Sequence, residues 1–283
     1  MFQHLQKLLH YLSRRWVHVV LSVTVLLTIV GTSWQTTHAI SLEDLIFNGI
    51  RIYEIFDISD EEEMAFGKEI DTRLKSENQI RVYADGSIED YIDEIGRRLV
   101  RVSDRPDLRY TFQVVEDEGI NAFATMGGYV YINTGLIRAA DNEAQLASVV
   151  AHEIAHITER HAVDNLQQAA IAQGIVDVAG IDSNFIVQLG YELAIDRPRS
   201  RSAENEADAA GLEFLMDAGY APIGMVDFFE KLGGGGLNIE FLSTHPDTNE
   251  RIRNILSRID FKTASEGDGL DSAAYEQNIR SIL

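Results

Sequence analysis

Two histidines four residues apart bracket a glutamate in the run His152-Glu153-Ile154-Ala155-His156. At about 100° per residue, positions four apart lie about 40° apart on a helix, so both imidazoles leave from one face. The neighbouring residues support a helix: from Asn142 to about Gln168 the composition and 3.6-residue spacing are helical, and Asn142 with Gln145 makes an acceptable cap. Neutral imidazole is a good ligand for Zn²⁺, and this spacing supplies two corners of a tetrahedron without distorting the helix. Glu153, beside them, can take a proton from an attacking water. Together these residues can perform metal-assisted hydrolysis of the kind that breaks peptide bonds.

A catalytic zinc needs a third protein ligand and one open position. The run Glu204-Asn205-Glu206-Ala207-Asp208 offers candidates on a separate helix. Glu204 and Asp208 share a helix face, and Glu206 points roughly opposite Glu204. The expectation is that Glu204 ligates the metal and Asp208 accepts a hydrogen bond from an imidazole N–H, fixing its tautomer. On spacing alone, an acidic solvated first turn, favoured by the helix dipole, explains these acids equally well. His161 lies nine residues after His152, about 180° around one continuous helix, so it is assigned to the surface or to helix packing. A purely structural zinc fits less well, because two histidines and one glutamate leave a coordination position open.

Other elements must hold these groups. Ser59-Asp60-Glu61-Glu62 reads as a capping box for a helix to about Leu74. A second helix covers Ile88 to Val102, with an apolar stripe at Ile88, Tyr91, Ile92, Ile95, Leu99 and Val102. Residues 110–115 and 129–132 alternate like strands, the second following the Gly127-Gly128 turn. Ser202 opens a helix to about Asp217, and Asp247-Thr248-Asn249-Glu250 caps a last helix to about Ile259. Residues 171–193 are apolar but broken by Asp177, Asp182 and Glu192, too interrupted to span a bilayer. Gly233 to Gly236 reads as a flexible loop, and the polar tail after Thr263 as frayed. The pattern is α+β and mainly α-helical, with a small β-sheet.

The bulk numbers set the class. With 283 residues, 45% of them hydrophobic, the chain can bury a sizeable core. The net charge is −21, and all 45 acidic residues follow residue 39. Such a surface repels phosphate backbones, which excludes nucleic acid as a partner. There is no cysteine, hence no disulfide framework, thiolate metal site or lipid-anchored cysteine. Residues 1–39 stand apart. Lys7, Arg14 and Arg15 precede an apolar run from Val19 to Val30, followed by Thr37-His38-Ala39. This is the layout of a secretory signal peptide; left uncleaved, the same segment is an N-terminal anchor associating the chain with a membrane. Ser13-Arg14-Arg15 also resembles a twin-arginine signal. The expected location is the periplasm or a comparable extracytoplasmic compartment, with residues 40–283 as a single domain.

Several motifs in order match a family. They are residues 59–67 (SDEEEMAFG), Asn121-Ala122-Phe123-Ala124 with Gly127-Gly128-Tyr129-Val130-Tyr131, Gly135-Leu136, residues 152–161 (HEIAHITERH), Ser202 to Asp208, and Ser243-Thr244-His245-Pro246 through Glu250-Arg251. The chain resembles the zinc peptidases that include HtpX, the CAAX prenyl protease and the exported proteases of outer-membrane quality control. The resemblance covers roughly residues 59–260, the core of the peptidase domain. It implies a zincin-like fold with one Zn²⁺ per chain, and favours Glu204 as third ligand beside His152 and His156. It also implies that Asn121, Ala122, Phe123, Gly127, Gly128 and Tyr129 form an extended segment beside the cleft that pairs with the backbone of a protein or peptide substrate. Here Met126 stands where the family usually has proline. For His245 it leaves two roles, stabilising the oxyanion or serving as a displaceable fourth ligand that keeps the enzyme latent. Arg251 orients substrate or supports the oxyanion, or else is a surface cation paired with Asp247 or Glu250. The implied activity is endoproteolysis of misfolded or misassembled envelope proteins. The alternative is a chaperone-like binder of such proteins that seldom cuts.

Overall fold

The computed structural model describes residues 58–172, 183–196, 199–233, 241–245 and 248–283. The signal or anchor segment 1–39, most of the glycine loop, Pro246 and the capping Asp247 lie outside them. Among the described residues no helix is long and apolar enough to cross a membrane.

Helix α1 (Asp60–Ser76) opens on the expected capping box: Ser59 Oγ accepts the Glu62 N–H and Glu62 reaches back to the Ser59 N–H at 2.9 Å. Helix α2 (Gly86–Val100), capped by Asp85, buries Ile88, Ile92, Ile95 and Leu99. Three strands follow: β1 (Thr111–Val115), β2 (Ala122–Ala124) and β3 (Tyr129–Asn133). Their order is β1-β3-β2, with β1 parallel and β2 antiparallel to the central β3. Between β2 and β3 the chain makes a tight turn at Gly127 (φ 71°) and Gly128 (φ 88°). A Cβ at Gly127 would meet Glu63 O at 2.6 Å, so glycine is required both by the left-handed backbone and by the contact with α1.

The fold is mainly helical with this one small sheet, as the patterning predicts. After the short α3 (Thr134–Ala139) comes α4 (Glu143–Thr158), the central element. Asn142 Oδ1 accepts the Gln145 N–H at 3.0 Å, and every residue from Ala144 to Ile157 is buried. A helix apolar on all sides belongs in the interior, and here the only polar groups it brings inside are those with chemistry to do or bonds to make. Helix α7 (Arg201–Asp217), capped by Ser200, packs on it. A Cβ at Gly211 would lie 3.0 Å from His152 N, so the two backbones touch where the ligands emerge.

Two expectations need correction. The helix from Asn142 does not run to Gln168. It ends at Thr158, Arg160 adopts a left-handed conformation (φ 57°), and α5 (His161–Ala172) starts in a new direction. Non-glycine residues in that region cost on the order of 1 kcal/mol. The Arg160 side chain offsets this by donating to Ile58 O and pairing with Asp60 and Glu63 on α1. The tail is not frayed either. Beyond α6 (Ser183–Asp196), α8 (Ile223–Gly233), the short α9 (Phe241–Thr244) and α10 (Thr248–Leu256), a further helix α11 (Ser272–Asn278) buries Tyr275, whose hydroxyl donates to Ile137 O at 2.5 Å. Ile279 and Ile282 are buried as well, and Gly269 O accepts the Ala144 N–H at the start of α4.

Candidate metal centre

Helix α4 presents His152 and His156, α7 presents Glu204, and the end of α9 presents His245. One ligand atom from each of the four lies within 4.8 Å of the other three, and all four residues are buried. His152 Nε2 is 3.0 Å from His156 Nε2 and 3.7 Å from Glu204 Oε2, and His156 Nε2 is 3.4 Å from Glu204 Oε1. Four nitrogen and oxygen ligands placed tetrahedrally about 2.0–2.1 Å from one zinc lie about 3.3–3.4 Å from one another, so the spacing fits such an ion.

The hydrogen bonds fix which atoms face inward. His152 Nδ1 donates to Asp208 Oδ1 at 3.0 Å. A carboxylate there can only accept, which leaves the Nε2 lone pair toward the cluster. His245 Nδ1 donates to Phe241 O at 3.2 Å, leaving its Nε2 toward the cluster as well. Lone pairs converging at these distances repel one another unless a cation stands among them. Both oxygens of Glu204 and both of Glu153 are buried without a hydrogen-bond partner. Arg251 Nη1 does approach Glu204 Oε2 to 2.7 Å, an ion pair whose angle is not that of a hydrogen bond. A buried carboxylate left in this state is costly, and a divalent ion is the partner its donor set suits.

Burial governs the protonation states. It holds His152 down to about 4, with the Arg251 charge adding to the effect and hydrogen bonding to Asp208 opposing it. Burial also keeps His156 and His245 well below the ordinary imidazole range, and the Arg199 charge pushes in the same direction. All three rings are therefore neutral at pH 7, the form a metal requires. Burial pushes Glu204 up to about 8 against the opposing charge of Arg251. Burial would raise Asp208 too, but hydrogen bonds from Arg251 and His152 outweigh it and bring that carboxyl to about 2. Burial raises Glu153 above the usual carboxylate range, opposed first by Arg199.

Arg251 is not at the surface beside Asp247 or Glu250. It is buried, with Nε and Nη2 each 2.7 Å from the two oxygens of Asp208 and Nη1 against Glu204. Its guanidinium carbon stands 4.6 Å from the Phe229 ring centre. Such a bidentate fork fixes both acids of α7 at once. His245 Nε2 is 3.3 Å from Glu153 Oε1, and its ring stacks on Phe241 at 4.1 Å.

Sequence reasoning did not single out Arg199, and nothing in the run Arg197-Pro198-Arg199-Ser200 distinguishes it. Its guanidinium donates to His245 Nε2, lies 3.5 Å from Glu153 Oε2 and reaches Ala124 O at 3.4 Å. His161, assigned to packing, does contact the site: its Nδ1 is 2.8 Å from His156 Nδ1. The assignment assumed an unbroken helix, and the turn at Arg160 swings the ring back.

Of the proposed substrate segment, only part has a free backbone edge. Tyr129 lies in the central strand, hydrogen-bonded on both sides, and Gly127 and Gly128 form the turn packed on α1 and the Arg109 backbone. Among the described residues, β2 with Ala122 and Phe123 has no strand on its outer side. Asn121, just before it, is buried with its side-chain oxygen unpartnered. A cavity of about 150 Å³ runs beside this strand, lined by Phe123, Thr125, His156, His161, Leu193 and Arg199 among others.

A buried two-histidine, one-glutamate cluster, with a further glutamate beside the histidines and an edge strand alongside, is the arrangement of a metallopeptidase. Residues 87–259 match peptidase family M48, and the chain belongs to that family. It is 32% identical to a putative beta-barrel assembly-enhancing protease of Vibrio cholerae, across 66% of this chain and 42% of that protein. It is also 32% identical to the mitochondrial metalloendopeptidase OMA1 of Schizosaccharomyces pombe, across 58% of this chain and 51% of OMA1. The metalloprotease YcaL of Escherichia coli is 26% identical across 81% of this chain and 92% of its own length. The chain thus spans about half or less of the first two relatives.

Proposed function

We propose that the chain is a zinc-dependent endopeptidase. The observation that carries this is the convergence of four buried ligand atoms with the buried Glu153 carboxylate beside them. His152, His156 and Glu204 hold the ion, Asp208 orients His152, and Arg251 fixes Asp208 and Glu204. One zinc there would acidify an attacking water and polarise the scissile carbonyl. Glu153, its carboxyl already raised by burial, takes the proton from that water and returns one to the leaving amine nitrogen. Substrate backbone adds to the outer edge of β2 at Ala122–Ala124, and one side chain enters the adjoining cavity. To do so it must displace Arg199 from Ala124 O.

His245 is read here as a fourth ligand that must leave before substrate can approach, which makes the resting enzyme latent. The position of Nε2 within the cluster supports this over an oxyanion role, and Arg199, which donates to that Nε2, must withdraw for it to reach the ion. The proposed substrates are misassembled envelope proteins in an extracytoplasmic compartment. Relatives named for beta-barrel assembly and the export-like residues 1–39 support that choice.

The test is bound zinc, together with casein cleavage, for residues 40–283 and for Glu153→Gln and His245→Ala. The proposal expects about one zinc in each, no cleavage by the glutamine variant, and faster cleavage by the alanine variant. Zinc binding by all three with no cleavage by any supports a holding function instead. A chain that binds no zinc refutes the central reading.

A further inference from the structure

Behind His156 stands a second imidazole, then a carboxylate. His156 Nδ1 and His161 Nδ1 are 2.8 Å apart, His161 Nε2 is 3.2 Å from Glu206 Oε2, and Ser202 donates its hydroxyl to the other Glu206 oxygen at 2.7 Å. His161 is buried, its side chain 6% exposed, whereas Glu206 is 55% exposed. Two facing ring nitrogens at 2.8 Å share one hydrogen, and the chain of partners decides who carries it. The Glu206 carboxylate only accepts, so His161 bears its hydrogen on Nε2 and offers a lone pair at Nδ1. His156 must then carry its hydrogen on Nδ1, which leaves a lone pair on Nε2, the atom 3.4 Å from Glu204 Oε1. The opposite arrangement, with His161 donating, puts a hydrogen on His156 Nε2 and blocks it as a ligand.

We propose that His161, oriented by Glu206, is a positioning residue for the metal centre: it accepts the Nδ1–H of His156 and so presents that ring's Nε2 to the metal. The inference rests on the metallopeptidase reading above and adds a residue to it. It also gives α7 three separate tasks at alternate positions, with Glu204 in the cluster, Glu206 behind one imidazole and Asp208 behind the other.

The test compares His161→Asn with His161→Leu, two side chains of nearly the same shape. Asparagine can place an acceptor oxygen near the former Nδ1, and leucine cannot. Zinc affinity is measured by competition with a chromogenic chelator, and the site is also read by the visible absorption of the cobalt-substituted protein. Loss of such a supporting partner costs roughly 10–100-fold in metal affinity, which is the loss expected for His161→Leu. His161→Asn should recover most of it and keep the wild-type cobalt spectrum. Equal affinities for the asparagine and leucine variants overturn the inference, as does wild-type affinity in His161→Leu. Should the leucine variant not fold, Glu206→Ala decides: a threefold or larger loss of affinity at unchanged metal-free melting supports the relay, and no loss overturns it. A wild-type chain that binds no zinc removes the metal reading and the relay together. Zinc binding and cleavage by the wild type, with unshifted variants, remove the relay alone.

Discussion

Behind His152 lie Asp208 and Arg251, both almost wholly buried; behind His156 lie the buried His161 and then Glu206, half in solvent. The two imidazoles sit one helical turn apart on α4, yet one is backed by a sealed ion pair and the other by a chain of polar groups leading outward. The sealed side is rigid and carries charge that cannot be left unpaired. The outer side adjoins the cavity beside β2, where substrate is proposed to enter. The contrast implies that stability is concentrated behind His152, and that His156 can be retuned at little cost to the fold.

The largest effect should come from the sealed side. Arg251→Met leaves Glu204 and Asp208 buried without their cation, and breaking such a pair costs about 3–5 kcal/mol. A denaturant midpoint close to wild type would abolish the proposed asymmetry. Next, zinc affinity should fall about 100-fold in Asp208→Ala but no more than about 10-fold in Glu206→Ala, the two ends of the usual range for such partners. Equal losses would show that the two supports are interchangeable.

The third effect is pH dependence in the metal-free protein, where α7 carries opposing slopes. The folded-state value of Glu204, about 8, is raised above the roughly 4.3 of an unfolded glutamate. Its contribution is therefore present below about pH 4.3 and lost as pH rises through 8. Asp208, at about 2, is depressed below the roughly 3.9 of an unfolded aspartate, so its contribution is present above about pH 3.9 and lost as pH falls through 2. The depressed imidazoles of His152, His156 and His245 give the opposite slope up to about pH 6.5, so melting of the metal-free chain should decline only above that, from about pH 7 to 8, and Glu204→Gln should flatten that decline. An unchanged slope in Glu204→Gln would mean that another group sets it. The smallest effect lies remote from both imidazoles: Tyr275→Phe removes the bond to Ile137 O and should cost about 1 kcal/mol without changing zinc affinity.

Much of this is legible in the sequence. The His152–His156 spacing needs only helix geometry, and the capping box at Ser59 and the cap at Asn142 state where α1 and α4 begin. What escaped was set by contacts between distant residues. No glycine or proline marks the end of α4; Arg160 turns there because Ile58, Asp60 and Glu63 on another element receive its side chain. His161 was misassigned for that reason alone. The tail did carry a signal, with Asp271 as cap and Tyr275, Ile279 and Ile282 at spacings of four and three, but polar residues between them hid it. Arg251 lies in a polar, charged stretch that reads as surface, and only the two acids of α7 explain its burial. Strand β2, three residues long, is too short for alternation to show.

The close approach of α4 and α7 at Gly211 has one more consequence. Helices whose backbones touch behave as a clamp, and an ion ligated from both jaws tightens it. Occupancy and folding are then the same equilibrium seen from two ends. A substitution such as Gly211→Ala, which pushes on the His152 backbone and alters no side chain of the site, should register as weaker ion binding before it registers as lost structure, and an inactive variant at this position says nothing about the chemistry.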